Sequence, residues 1–189
     1  KMNKLLIATT NPGKILEYKV ILKNLPIELV TLKDLDITAD VQEDGKTFEE
    51  NAIKKVKFYS QLTNLPVLSE DSGLEIDYLN GQPGVHTKRW LGYDASEEEL
   101  ISATLERLKG VPMEKRGAQL RVVIALAVNG EEIKIFEGAI RGLIMEKPIA
   151  KIIPVYPFRT LFYLPEIKKV LGELTMEEEA KFAHRKKAV

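Results

Sequence analysis

The chain has 189 residues and 44% hydrophobic content, enough to bury most of its apolar surface around one core or two small lobes. Its 28 Lys and Arg balance 28 Asp and Glu, so no long-range field favours a nucleic-acid backbone or an anionic membrane, and an anionic ligand needs a local site. Cysteine is absent, which excludes disulfides, thiolate metal sites and a cysteine nucleophile; with only two histidines, a metal would sit among carboxylates.

Leu5-Leu6-Ile7-Ala8 is a continuous apolar run ended by Thr9-Thr10-Asn11-Pro12-Gly13, after which Ile15, Tyr18 and Leu22 keep helical spacing. A buried strand, a tight turn and a helix closed by Leu25-Pro26 are expected. Ile27 to Leu32 reads as a second strand and Leu35 to Asp44 as an acidic loop. Thr47-Phe48-Glu49-Glu50 has capping-box spacing and opens a helix whose apolar stripe is Phe48, Ala52, Val56 and Tyr59. Pro66-Val67-Leu68 is expected to be a short strand ending at Ser69-Glu70-Asp71-Ser72-Gly73, and Leu74 to Leu79 a second one before the turn Asn80 to Gly84. Ser96 to Glu99 caps a helix that ends near Gly110. Gln119 to Val128 and Glu132 to Ile144 read as strands joined by the hairpin signal Asn129-Gly130. Thr175 to Glu178 caps a last helix running into Ala183-His184-Arg185. The longest apolar runs fall well short of the ~18 residues of a membrane span, and the N-terminal run is too short for a signal-peptide core. A cytoplasmic α/β domain over 1–189 with a mixed twisted sheet is the expectation.

Several constellations carry possible chemistry. At Thr10-Asn11-Pro12-Gly13-Lys14, unpaired N–H groups of a first helical turn, two polar side chains and an ammonium converge as an anion site; the alternative is an Asn cap, Pro at the first helical position and a solvated lysine. Glu43-Asp44 and Glu70-Asp71 offer four carboxylates if the two segments meet, which suits a hard cation, although acids also favour turns and helix starts. Glu50 is open to the same two readings, an acid of the site or simply the third position of a capping box. Thr87 and Arg89 follow the rigid turn Gly81-x-Pro83-Gly84, and His184-Arg185 is either a ligand-facing pair or a solvated tail.

In order, these pieces resemble the inosine triphosphate pyrophosphatases, the non-standard purine NTP pyrophosphatase family. Thr10-Asn11-x-x-Lys14 is similar to its phosphate-binding opening, and Glu43-x-Gly45-x-Thr47-Phe48-x-Glu50-Asn51-Ala52 to its second motif. Glu70-Asp71-Ser72-Gly73 resembles its acidic motif, and Gly81-x-Pro83-Gly84-x-x-Thr87-x-Arg89 the next, with Thr87 where serine is usual. Gly138, Gly142 to Pro148, Phe162, Lys169, Glu173-Leu174, His184-Arg185 and Ala188 fit the remainder. The resemblance implies two α/β lobes around a long mixed sheet with the nucleotide in a central cleft, a homodimer, and hydrolysis of ITP, dITP or XTP to monophosphate and pyrophosphate with Mg²⁺, Mn²⁺ being an acceptable substitute. It implies that Lys14, Thr10, Asn11, Ser72, Thr87, Arg89 and Lys169 bind substrate and that Glu43 and Asp71 bind metal. Asp71 or Glu70 would orient the attacking water, with Lys14 beside them, and His184 and Arg185 would select a 6-oxo purine.

The chain departs from that pattern over 149–161, where a Gly-Phe-Gly-Tyr-Asp-Pro stretch is usual. Counted back from Phe162, Tyr156 and Phe158 stand for the two aromatics at the base and Arg159 replaces the acid, whereas counting forward from Pro148 gives another register; Ala183 replaces serine. Lineage drift and a local reading-frame shift both account for this stretch. Two alternatives follow: a nucleotide-binding protein that kept the phosphate site but lost turnover, and a pyrophosphatase for other modified nucleotides.

Overall fold

Strand β1 (Asn3–Ile7) lies between parallel neighbours, β2 (Ile27–Thr31) on one edge and β3 (Val67–Ile76) on the other, with Leu6 opposite Val30 and Val67. A central parallel strand is buried on both faces, which is why its sequence is a run rather than an alternation. The computed structural model describes residues 3–128, 132–149, 156–182 and 184–189, apart from the side chains of Lys88 and His184. Residues 150–155 of the divergent stretch, the Asn129-Gly130 turn and Ala183 therefore lie outside the described residues.

The eight-stranded mixed sheet has the order β2-β1-β3-β5-β6-β7-β8, with the short β4 (Gln82–Pro83) antiparallel to β3. β5 is Gly117–Val128 and β6 Glu132–Ile144; β7 (Phe162–Leu164) and β8 (Lys169–Val170) add antiparallel pairs at the far edge. The helices are α1 (Pro12–Ile21), α2 (Phe48–Ser60), α3 (Glu97–Arg107), α4 (Met176–Phe182) and α5 (His184–Ala188). No described helix is long and apolar enough to cross a membrane.

One expectation about β3 fails. In place of two short strands broken at Ser69 to Gly73, a single ten-residue strand runs through Glu70 and Asp71, so neither acid forms a turn. The second expected strand instead ends at Ile76, where Asp77–Leu79 tightens into a single 3₁₀ turn and Asn80 and Gly81 adopt left-handed backbone (φ 53° and 83°).

By internal contacts the chain divides into two units. The first comprises Lys1–Ser72, Val122–Gly138 and Arg185–Val189; the second comprises Gly73–Arg121 and Ala139–His184. In the first, Ile7, Tyr18, Leu22, Leu68, Val122, Ile124 and Ala188 form one apolar cluster, so α5 is pinned by Ala188. In the second, Leu74, Ile76, Leu100, Leu108, Ile144, Phe158, Leu161 and Phe162 belong to the core. There the Arg116 guanidinium is buried and donates to the carbonyls of Ile144, Leu108 and Met145 at 2.6, 2.7 and 2.9 Å, closing chain ends that a strand pattern alone would leave unpaired.

Candidate active site

In the first unit, α1 starts where the sequence places it, but its cap consumes the groups expected to bind an anion. Asn11 Oδ1 accepts from the backbone N–H of Gly13 (2.9 Å) and of Lys14 (3.2 Å), and Pro12 has no N–H to offer. The Asn-cap reading is therefore what forms, and the free first-turn N–H groups are not available. What remains at this end is the positive end of the helix dipole, the exposed Thr10 and the Lys14 ammonium, which pairs with Glu70 Oε1 at 3.0 Å.

Glu70 is the most enclosed carboxylate of the group, at 2% exposure. Arg185 grips it with two donors, Nε to Oε2 at 2.7 Å and Nη2 to Oε1 at 2.6 Å, while Tyr18 donates its hydroxyl to Oε2 at 2.5 Å. Arg185 also reaches Glu17 Oε2 (2.8 Å) and Ser72 Oγ (3.1 Å). Burial alone would raise the Glu70 carboxyl; the Arg185 and Lys14 charges, with the hydrogen bonds of Arg185 and Tyr18, hold it well below the usual carboxylate range. Burial and Glu70 push the Tyr18 phenol well up. The guanidinium expected to meet the base is thus buried among carboxylates, and a glutamate with three such partners is an anchor for charge rather than a mobile base.

Asp71 has a different setting. Its Oδ2 accepts from Asn51 Nδ2 at 2.8 Å, and its Oδ1 accepts from the N–H of Ser72 at 2.9 Å. Burial raises its carboxyl; Lys55, Lys14 and the Asn51 bond pull the other way, Glu43 adds to the rise, and the net direction is up. Asn51 Oδ1 accepts from the N–H of Gly45 at 2.7 Å, which joins the acidic loop to β3. Glu43 Oε1 is 2.8 Å from Lys55 Nζ, and Asp44 Oδ1 is 2.5 Å from Lys54 Nζ. Among the described residues no three carboxylates or imidazoles converge as a closed metal cluster. Two electrostatically coupled carboxylates suit a hard cation that completes its shell with waters and substrate phosphates. Glu43 and Asp71 fit Mg²⁺ in that sense.

Four of these groups were missed in the sequence: Tyr18, Glu17, Asn51 and Lys55. Asn51 and Lys55 carried a readable signal, because they stand four residues apart beside the apolar stripe of α2, on the face that Phe48, Ala52, Val56 and Tyr59 bury.

The other expected site residues lie in the second unit. Thr87 donates its hydroxyl to the carbonyl of Gly84 at 2.7 Å, as a turn former does, and Arg89 is exposed. Lys169, on β8, lies 3.8 Å from Glu178. Phe158, expected to line the base, packs in the apolar core at 6% exposure. Arg159 lies 3.8 Å over the Tyr156 ring and 2.7 Å from Glu179, so the residue that replaces the family's acid is tied down by an acid on α4. His184 opens α5.

A profile of the Ham1 family matches residues 5–189. A dITP/XTP pyrophosphatase of Thermoanaerobacter pseudethanolicus is 40% identical over 186 residues, covering 98% of this chain and 92% of the relative. One of Bacillus subtilis is 37% identical over 188 residues, covering 100% and 94%. Among solved structures, a HAM1 protein from Coxiella burnetii superposes with a TM-score of 0.86 at 33% identity, covering 99% of this chain and 94% of that one. A nucleoside-triphosphatase / dITP/XTP pyrophosphatase from Mycobacterium abscessus gives 0.75 at 32%, covering 96% and 94%.

Proposed function

The chain belongs to the Ham1 family, and we propose that it hydrolyses non-standard purine nucleoside triphosphates (ITP, dITP and XTP) to the monophosphate and pyrophosphate, with Mg²⁺ held by Glu43 and Asp71. The observation that carries this reading lies within one unit: Asn51 bonds both Asp71 (2.8 Å) and the Gly45 N–H (2.7 Å) of the loop that bears Glu43, Lys55 meets Glu43 at 2.8 Å, and Lys14 meets Glu70, the neighbour of Asp71, at 3.0 Å. The names of the relatives, which cover nearly the whole of each chain, supply the substrate class. The homodimer and the cytosolic setting rest on the family resemblance.

The residues divide the work by charge. Lys14, at the positive end of α1, and Lys55 neutralise phosphate oxygens, which positions the triphosphate and lowers the cost of bringing a carboxylate beside it. Asp71 is the carboxylate with room to change its proton. It accepts a proton from water as the water oxygen bonds to the α-phosphorus and the bond to the bridging oxygen breaks, pyrophosphate leaving with the electron pair. A divalent ion bound at Glu43 and Asp71 supplies neutralisation of the leaving oxygens. Glu70 stays ionised and holds Lys14 and Arg185 in place. Base selection is assigned to the start of α5, where His184 precedes the anchored Arg185; a 6-oxo purine offers an acceptor to such donors, whereas adenine leaves them unmatched.

The test is a panel of ITP, dITP, XTP, GTP and ATP with Mg²⁺, reading both pyrophosphate and nucleotide product. Monophosphate and pyrophosphate from the 6-oxo, non-standard members, with ATP turned over far more slowly, is expected. Orthophosphate release, or equal rates for ATP and ITP, overturns the reading, and ITP binding without turnover supports a binding protein instead.

A further inference from the structure

Asn51 is 2% exposed, yet both ends of its amide are engaged outside its own helix. Oδ1 accepts from the N–H of Gly45 at 2.7 Å, and Nδ2 donates to Asp71 Oδ2 at 2.8 Å. A backbone N–H can only donate, so the first bond fixes which way the amide faces and directs the NH₂ at Asp71. Gly45 sits two residues after Glu43, on the loop that carries it. One side chain therefore ties both arms of the proposed metal site, the loop on one side and β3 on the other, and the fit is tight. A Cβ at Gly45 would stand 2.6 Å from Asn51 Oδ1 and 2.9 Å from Glu50 Cβ. The loop end is held again by Glu50, whose Oε2 accepts from the N–H of Lys46 at 2.6 Å.

We infer that Asn51 is the positioning residue of the metal site, setting the separation of Glu43 and Asp71 through the Gly45 N–H and the Asp71 carboxylate. Both ends of its amide are committed to these two groups, so it acts through them. Its bond to Oδ2, together with that of the Ser72 N–H to Oδ1, orients the Asp71 carboxylate plane and leaves lone pairs of both oxygens for ligation. The inference rests on Glu43 and Asp71 being the metal ligands, and the experiment separates the two.

The experiment measures Mn²⁺ binding to the substrate-free protein by electron paramagnetic resonance, alongside kcat and KM for ITP at saturating metal. Asn51→Ala is expected to raise the Mn²⁺ dissociation constant about 10- to 100-fold, the range seen when groups that orient metal ligands are lost. At saturating metal kcat should fall while KM for ITP moves less than about threefold. Because removing a buried amide also risks the fold, Gly45→Ala provides a second route: it pushes on Asn51 Oδ1 from the exposed loop and leaves the helix intact. It is expected to weaken Mn²⁺ binding too, and the double variant to be no weaker than Asn51→Ala alone, because both changes cut one connection. Reduced thermal stability with unchanged Mn²⁺ affinity in both variants overturns the inference. If Asp71→Asn also leaves Mn²⁺ affinity unchanged, the metal-site reading itself has failed; if it abolishes binding while the Asn51 and Gly45 variants bind normally, only the positioning role is lost.

Discussion

Replacing Arg185 with methionine keeps the length of the side chain and removes its charge and donors. The wild-type guanidinium is 2% exposed and makes two hydrogen bonds to Glu70 and one each to Glu17 and Ser72. In the variant two buried carboxylates lose the guanidinium between them, and Lys14, Tyr18 and the Ser72 hydroxyl remain on Glu70. Removing one member of a buried ion pair costs about 3–5 kcal/mol, roughly a hundred- to several-thousand-fold in the folding equilibrium. For a chain of this size that is about 6–20 °C in Tm. The loss also has a pH signature. Glu70 is depressed in the folded protein, so its contribution is present above the usual carboxylate range and disappears as pH falls through the depressed value. The difference between wild type and variant is therefore largest near pH 7 and shrinks as the solution is acidified below that range. Urea unfolding at pH 7 and at a series of acidic values checks both. A loss below about 1 kcal/mol at pH 7, or one that does not change with pH, refutes the argument that Arg185 is the buried counter-ion of β3.

Three further outcomes are expected. Asp71→Asn lowers pyrophosphate release at least ~100-fold, as measured in a coupled assay with ITP. Its stability at pH 7 is unchanged or slightly higher, because a carboxyl raised on folding is a destabilising charge above its folded pKa and none below its unfolded one; clear destabilisation by calorimetry contradicts this. Lys14→Ala weakens triphosphate binding much more than nucleoside binding in calorimetric titration. It also costs about 1–3 kcal/mol of stability, because the lysine is partnered by buried Glu70 and not solvated as its sequence position suggests. Gly142→Ala in the second unit places a Cβ 2.5 Å from the carbonyl oxygen of Tyr163 and 2.6 Å from the Phe162 ring, so denaturant unfolding should show a loss of about 1–3 kcal/mol; wild-type stability would mean that β6 and β7 separate easily.

Local chemistry was legible in the sequence wherever a short-range rule decides. Asn11, Thr47 and Ser96 cap the helices they were assigned, and the box at Ser96 and Glu99 closes in both directions. The continuous run at Leu5 did become a central parallel strand. Misreading came where a residue's partner is distant in the chain. Two acids in succession look like a turn because a strand interior cannot hold them unpaired, and the partner that makes it possible for Glu70 lies 115 residues later. Lys14 and Tyr18 complete that neutralisation, and neither announces it locally. The same blindness made Phe158 a candidate for stacking on a base, since nothing within the segment distinguishes an aromatic that seals a core from one that lines a site.

The division of the chain bears on how it is made. The first unit draws on three separate stretches, and the last of them brings both Ala188 and Arg185. A ribosome delivers Glu70 and Glu17 long before the Arg185 guanidinium that they share, so until then Glu70 has its nearer partners Lys14, Tyr18 and Ser72 to offset the cost of burial. The guanidinium arrives with α5, and until then the first unit is short of a counter-ion, an interval in which association with a neighbouring chain competes with native assembly. Synthesis speed through the second unit thus sets how long the first unit lacks that counter-ion.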